Sequence, residues 1–359
     1  MKLIQRLDRR RFAPLVLLHR DGGQLAALLR DEGVEYEMAP TADYIGHSAG
    51  ASRSRQALAF PRLALALAHF LRRRRIGIVH TNDGAMHATW ALPTRLAGAK
   101  LLWHHRGSPD ARALRWLAPW LAHRVVAVSD FAAPRPGLVS AADKCRVIHS
   151  PFDTGARPDA PLPRAATLAQ LGLPGDARVI GYFGIMTDRK RPLVFVETLA
   201  ALRDRNPAAP VVGLMFGDVV DPGLDAAVLA RARALGIEDR LRLMGYRTPS
   251  APWMTLCDLL LVTAVDEPFG RTLIEAMLLG TPVVAAASGG NVEAIADGVT
   301  GLLVPPDRPD AFADAVLALL DDPARAAALA AAAGTDARRR YGIGAHVGAI
   351  TDIYRQLAA

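Results

Sequence analysis

The sequence predicts an α/β protein made of two doubly wound parallel-sheet domains. Apolar strand-like runs alternate with helix-like runs along the whole chain, the pattern of parallel strands joined by helical crossovers. At 359 residues the chain exceeds what one core usually supports. A proline-rich stretch with aspartates begins at Asp153 and reads as a linker over 153–165. The expected domains are therefore 1–152 and 166–359, with the terminal helix a candidate to pack back on the first domain.

In the first half, strands are expected at 15–18, 78–80, 100–104, 125–128 and 146–148. Helices are expected at 24–32, closed by Gly33, and at 85–96 and 114–122. Leu63, Leu65, Leu67, Phe70 and Leu71 add a helical apolar pattern beside Arg72, Arg73, Arg74 and Arg75. In the second half, strands are expected at 178–184, 211–216, 241–243, 259–262 and 283–286. Helices fall at 192–205, 225–235 and 310–320, and a further one follows Gly270 with no breaker before Gly280. The run 323–333 is nearly all alanine and adds helix propensity only.

Charge is uneven. Residues 1–150 carry 23 Lys and Arg against 11 Asp and Glu, whereas residues 151–359 carry 20 against 24. A basic half with Trp116, Leu117, Trp120 and Leu121 interleaved suggests an anionic membrane surface as partner. The plainer reading is a solvated arginine cluster at a helix end. No recognised binding motif accompanies the charge, so nucleic acid is not expected. Cys145 and Cys257 have no metal-ligand spacing and read as reduced thiols. No apolar run reaches spanning length, and the start lacks a signal pattern, so the expected location is cytoplasmic.

The chemistry concentrates in 266–304, which reads DEPFGRTLIEAMLLGTPVVAAASGGNVEAIADGVTGLLV. Glu267 is followed by Pro268, Phe269 and Gly270, and Glu275 comes eight positions after it. A helix starting behind Gly270 would present free N–H groups and a positive dipole end, which suits a phosphate. Glu275 would sit about one turn inside that helix. A buried strand at Val283 and a second glycine turn, Gly289-Gly290-Asn291, follow. A lone glutamate pair at this spacing is usually a solvated helix face, but the ordered series is not.

This series resembles the signature of the family 4 retaining nucleotide-sugar glycosyltransferases. Their pattern is E-x-F-G-x-x-x-x-E-A-M-x-x-G-x-P-V-V, then GG-x-x-E and G-x-x-G. Here it is met by Glu267 to Glu275, Gly280 to Val284, Gly289 to Glu293, and Gly298 to Gly301. The resemblance implies the GT-B fold, two Rossmann-like domains facing across a cleft, with ligands beyond the carboxyl ends of the strands. It implies transfer of a sugar from a nucleotide diphosphate donor to an acceptor hydroxyl with retained configuration. A saccharide or lipid-linked acceptor in bacterial envelope synthesis fits the basic, apolar-rich first half. No D-x-D motif is present, so neither metal nor other cofactor is expected.

The resemblance also assigns residues. Lys190, after Gly184, holds the diphosphate whose charge builds as the glycosidic bond breaks. Glu267 lies on the sugar side, and Glu275 meets the ribose diol with two acceptor oxygens. Gly270, Arg271, Thr272 and Leu273 line the diphosphate behind Phe269, and Gly245 lies near the base. The family's second arginine is replaced by Ile185, which leaves Arg189 or Arg191 to substitute, or the diphosphate to be held mainly by Lys190 and backbone N–H groups. His104 completes the implied catalytic set with Glu267 and Lys190. Strand alternation puts His104 and His105 on opposite faces, and register favours His104. His105, Arg106 and Asn82 are acceptor-side candidates.

The first twelve residues resemble the end of the family's first helix and the loop after it. The expectation is an N-terminal domain without its first strand and glycine loop, about thirty residues lying upstream; the alternative is a shortened member. Rival functions are an epimerase or hydrolase on the same fold, and an inactive or truncated relative serving as a membrane-surface scaffold.

Overall fold

The computed structural model describes residues 1–45, 53–82, 84–155, 161–207 and 209–359. They form two compact units, Met1–Pro151 with Ile343–Ala359, and Phe152–Gly342. The terminal helix Ile343–Ala358 thus belongs to the first unit, which moves the expected end of the second domain back from residue 359. Part of the expected linker is also structured. Arg164 opens the helix Arg164–Gln170, bonds the carbonyls of Leu256 and Ala177 at 2.6 and 2.7 Å, and pairs with Asp258. Residues 156–160 of the linker lie outside the described residues.

In the first unit, β3 (Ile78–Thr81), β4 (Lys100–His105), β5 (Arg124–Ala127) and β6 (Cys145–Val147) pair in that order, all parallel. The strands β1 (Leu17–Leu18) and β2 (Glu37–Met38) form a separate parallel pair, and Lys2–Arg6 is helical. Alternation along β4 builds two cores. Leu102 packs with Ile350, Ile353 and Tyr354 of the terminal helix. Leu101 and Trp103 pack on the other side with Leu114, Ala118 and Ala122.

The expected helix 114–122 is two shorter ones, Arg112–Trp116 and Ala118–Leu121. Pro119 has no N–H to offer the carbonyl one turn earlier, so the ladder breaks there.

The second unit holds β7 (Arg178–Phe183), β8 (Val211–Phe216), β9 (Leu241–Gly245), β10 (Leu259–Val262), β11 (Val283–Ala286) and β12 (Leu302–Val304). Their spatial order is β12-β11-β10-β7-β8-β9, all parallel. Helices cover both faces, so β8, β10 and β11 are buried at every residue, which is why they read as unbroken apolar runs. Phe195 and Phe312, both fully buried, anchor one face and contribute about 2–3 kcal/mol each. The chain builds outward from β7 in one direction and then restarts beside it with β10. The topological switch point lies between these two strands, where crevices open beyond the carboxyl ends.

The alanine run does more than supply propensity. It belongs to the helix Pro323–Arg340, which buries Leu329, Ala330, Ala333 and Ala337. At Gly334 a Cβ would lie 3.1 Å from the Met277 carbonyl, so this helix backs directly onto the glutamate helix Arg271–Leu279.

Candidate active site

The loops after β7 and β10 meet at the switch point of the second unit. Gly184 follows β7, and the chain turns through a 3-10 segment, Asp188–Lys190, into the helix Pro192–Arg205. The Thr263 hydroxyl, just beyond β10, donates to the carbonyls of Lys190 and Arg191 at 2.9 and 3.0 Å. The Val265 N–H donates to the Arg189 carbonyl at 3.0 Å. This strapping fixes the cationic turn against the acidic loop.

There Lys190 Nζ lies 2.8 Å and Arg189 Nη1 2.6 Å from Glu267 Oε2. The Lys190 and Glu267 side chains are each 13% exposed. Burial opposes ionisation of Glu267, but the two cations outweigh it and hold the carboxyl below its ordinary range. Two cations against one carboxylate leave a net positive charge. Arg191 is turned away, paired with Asp188 at 3.0 Å and Asp307 at 3.1 Å. Of the two candidates to stand in for the arginine missing at Ile185, only Arg189 joins the cluster. Ile185 itself is 46% exposed. Tyr182 on β7 leaves its hydroxyl buried without a hydrogen-bond partner, and both Arg189 and Glu267 bear on it electrostatically.

Behind Glu267, Phe269 is buried and Gly270 is the N-cap of the helix Arg271–Leu279. Thr272 and Leu273 therefore lie in its first turn, with free N–H groups there. Glu275 stands one turn in, 3.4 Å from Arg271, whose guanidinium lies 4.5 Å over the Phe152 ring. Burial raises the Glu275 carboxyl above its ordinary value, partly offset by Arg271. The second glycine turn holds this loop from behind, with the Gly290 N–H donating to the Glu267 carbonyl at 2.7 Å. Asn291 Nδ2 bonds the carbonyls of Ala264 and Ala286, tying β10 to β11. Gly245 ends β9, where its carbonyl accepts from the Gly217 N–H at 3.0 Å.

Sequence reasoning missed Thr263, Tyr182 and Phe152. A threonine or tyrosine at a strand end carries no signal until its neighbours are known.

In the first unit, His104 and His105 at the end of β4 are both buried, at 1% and 4% exposure. His104 Nδ1 lies 3.1 Å from His80 Nε2, while His105 Nε2 reaches the Ser108 carbonyl at 2.8 Å. Alternation separates them as expected, but burial is shared. Arg106 bonds Ser150 at 3.1 Å, and Asn82 is exposed. Asp83, next to Asn82, lies outside the described residues. Among the described residues, no three His, Cys, Asp or Glu side chains are grouped to hold a metal ion.

Residues 177–322 match the family model of glycosyl transferases group 1. The D-inositol 3-phosphate glycosyltransferase of Thermobispora bispora is 36% identical over 209 residues, 55% of this chain and 47% of that protein. The D-inositol 3-phosphate glycosyltransferase 2 of Catenulispora acidiphila is 36% identical over 241 residues, 65% of this chain and 56% of that protein. The chain thus spans about half the length of the curated relatives it matches. Among solved structures, Anabaena HepE in complex with UDP and glucose has a TM-score of 0.79 at 24% identity, covering 95% of this chain and 91% of that one. A glycosyltransferase from Rickettsia africae has a TM-score of 0.81 at 22% identity, covering 99% and 93%. By its signature residues, its sheet order and these likenesses, the chain is similar to the glycosyl transferases group 1 family over residues 177–322 and has the GT-B fold.

Proposed function

We propose that this protein transfers a sugar from a nucleoside diphosphate donor to an acceptor hydroxyl, with retention and without a metal. The observation that carries the reading is the convergence of Lys190 and Arg189 on Glu267 beside the helix that starts at Arg271. Departure of the sugar leaves charge on the diphosphate. Two side-chain cations and a helix N-terminus are fixed before the reaction, so they stabilise that charge with little reorganisation. Lys190 and Arg189 take the role a metal plays elsewhere, Glu275 holds the ribose diol, and Glu267 faces the sugar. In this scheme the diphosphate competes with Glu267 for the cations, freeing the carboxylate to bond sugar hydroxyls. Uridine is the favoured base, because HepE was solved with UDP.

Titration calorimetry with UDP, GDP, ADP and dTDP in EDTA tests the donor site. One diphosphate should bind, and Glu275→Gln should weaken it about tenfold by degrading the diol contact. Equal affinity in the variant would remove Glu275 from the nucleotide site.

The acceptor side is proposed to work at an anionic membrane surface, on the inner face of the plasma membrane, with a lipid-linked or envelope saccharide as acceptor. None of the helices, among the described residues, is long and apolar enough to cross a membrane. Trp116 and Trp120 are 64% and 66% exposed on adjacent short helices, where Arg112 and Arg115 are also exposed. Lys144 reaches the Pro119 carbonyl between them at 2.6 Å. Indole rings beside cations suit a headgroup layer. Vesicles containing phosphatidylglycerol should sediment the protein, pure phosphatidylcholine should not, and Trp116→Ser with Trp120→Ser should abolish the difference. Equal binding of the double variant would place the contact elsewhere. D-inositol 3-phosphate belongs in the acceptor panel because the relatives carry its name.

A further inference from the structure

The first unit contains a hydrogen-bonded chain that none of the signature motifs includes. Tyr354, on the terminal helix, places its hydroxyl 2.6 Å from His80 Nδ1 on β3. His80 Nε2 lies 3.1 Å from His104 Nδ1 on β4. The two imidazole planes are only 23° apart, with centroids separated by 5.2 Å. Two ring radii of about 1.1 Å added to such an in-plane bond give nearly that separation, so the rings meet edge to edge. At the end of the chain, His104 Nε2 is buried without a hydrogen-bond partner.

Proton bookkeeping gives the chain a direction. A neutral imidazole carries one N–H, so each ring must donate from one nitrogen and accept at the other. Burial, then the nearby Arg106, keep His80 neutral by lowering it to about 3. The same causes, with His80 and His346 contributing, hold His104 well below its ordinary value. If Tyr354 donates to His80 Nδ1, the His80 proton sits on Nε2 and points at His104 Nδ1. The His104 proton is then on Nε2. In the reverse direction the phenol proton has no acceptor and His104 Nε2 is a bare lone pair, so two buried polar groups go unpaired rather than one. The forward direction wins.

We propose that Tyr354 and His80 are positioning residues that fix His104 as its Nε2–H tautomer, a neutral donor presented to an oxygen of the acceptor. The tautomer follows from the geometry of this unit alone. Only the identity of the oxygen rests on the glycosyltransferase reading. A neutral N–H polarises a hydroxyl or phosphoryl oxygen without supplying a proton, so His104 does not act as a general acid in this scheme.

Long-range proton–nitrogen correlation spectra of protein carrying nitrogen-15 histidine read the tautomers directly, with His80→Asn and His104→Asn assigning the signals. Wild type should show His104 protonated at Nε2. Tyr354→Phe removes one oxygen, leaves the ring packed beside Phe12, and frees the direction, so a His104 Nδ1–H population should appear. In a donor-turnover assay the same variant should lower kcat/KM about tenfold, in the range of orienting partners. A His104 already protonated at Nδ1 in wild type, or a tautomer unmoved by Tyr354→Phe, overturns the proposal. If the spectra behave as expected but no nucleotide sugar turns over, the assignment of the oxygen fails and the positioning role stands.

Discussion

Lys190→Ala should cut kcat for donor cleavage by about 100- to 1000-fold, the loss seen when one preorganised stabiliser of developing charge is removed. KM should move less, because in the proposed scheme Arg189 and the helix N-terminus still bind the diphosphate in the ground state. The variant should also report on Glu267. In the wild type its carboxyl is held below the ordinary 4.5 although burial pushes it up, because Lys190 and Arg189 prevail. That lowering contributes stability above the unfolded-state pKa and is lost as pH falls through the folded-state value. Without Lys190 the burial penalty gains ground and the carboxyl moves up. Acid destabilisation, followed by urea unfolding against pH, should therefore set in at a higher pH in Lys190→Ala. An unchanged acid limb would mean that Lys190 is not the main partner of Glu267.

Gly217→Ala should be the most damaging small substitution in the second unit. A Cβ at Gly217 would lie 2.0 Å from the Gly184 carbonyl oxygen, and Gly217 has φ of +136°. The obstacle is backbone, so the loop leading to Lys190 must shift. The expected loss is about 3 kcal/mol, or about 6–12 °C in Tm for a unit of this size, with donor binding lost alongside. Gly245→Ala is the control. It shares a positive φ, +63°, but nothing lies within 4 Å of its Cβ, so only about 1–2 kcal/mol of backbone strain is expected. Melting curves showing equal losses would mean that the Gly217 loop yields more easily than its packing indicates.

The parallel α/β architecture was legible because its two periodicities are local. β8, β10 and β11 have the limits expected of them, since burial on both faces makes each an unbroken apolar stretch. The glutamate helix was legible from Gly270 and Gly280 at its ends. What could not be read needed three dimensions. Whether Arg189 or Arg191 joined Lys190 depended on a turn in which Arg191 takes φ +51° and faces Asp307. The pairing of Tyr354 with His80 spans 274 positions, and no local pattern announces it. The alanine run looked inert because its partner, the glutamate helix, is remote in sequence.

Whether the cations at the switch point drive departure of a nucleoside diphosphate is decided by nucleotide release from a panel of UDP-, GDP-, ADP- and dTDP-sugars in EDTA, wild type beside Lys190→Ala. Wild type should release one nucleoside diphosphate slowly, undiminished by EDTA, and the release should be nearly abolished in the variant. Release that requires a divalent ion, or that survives loss of Lys190, would contradict the mechanism. Silence across the panel and with added acceptors would contradict the activity and favour a scaffold that keeps the site without using it.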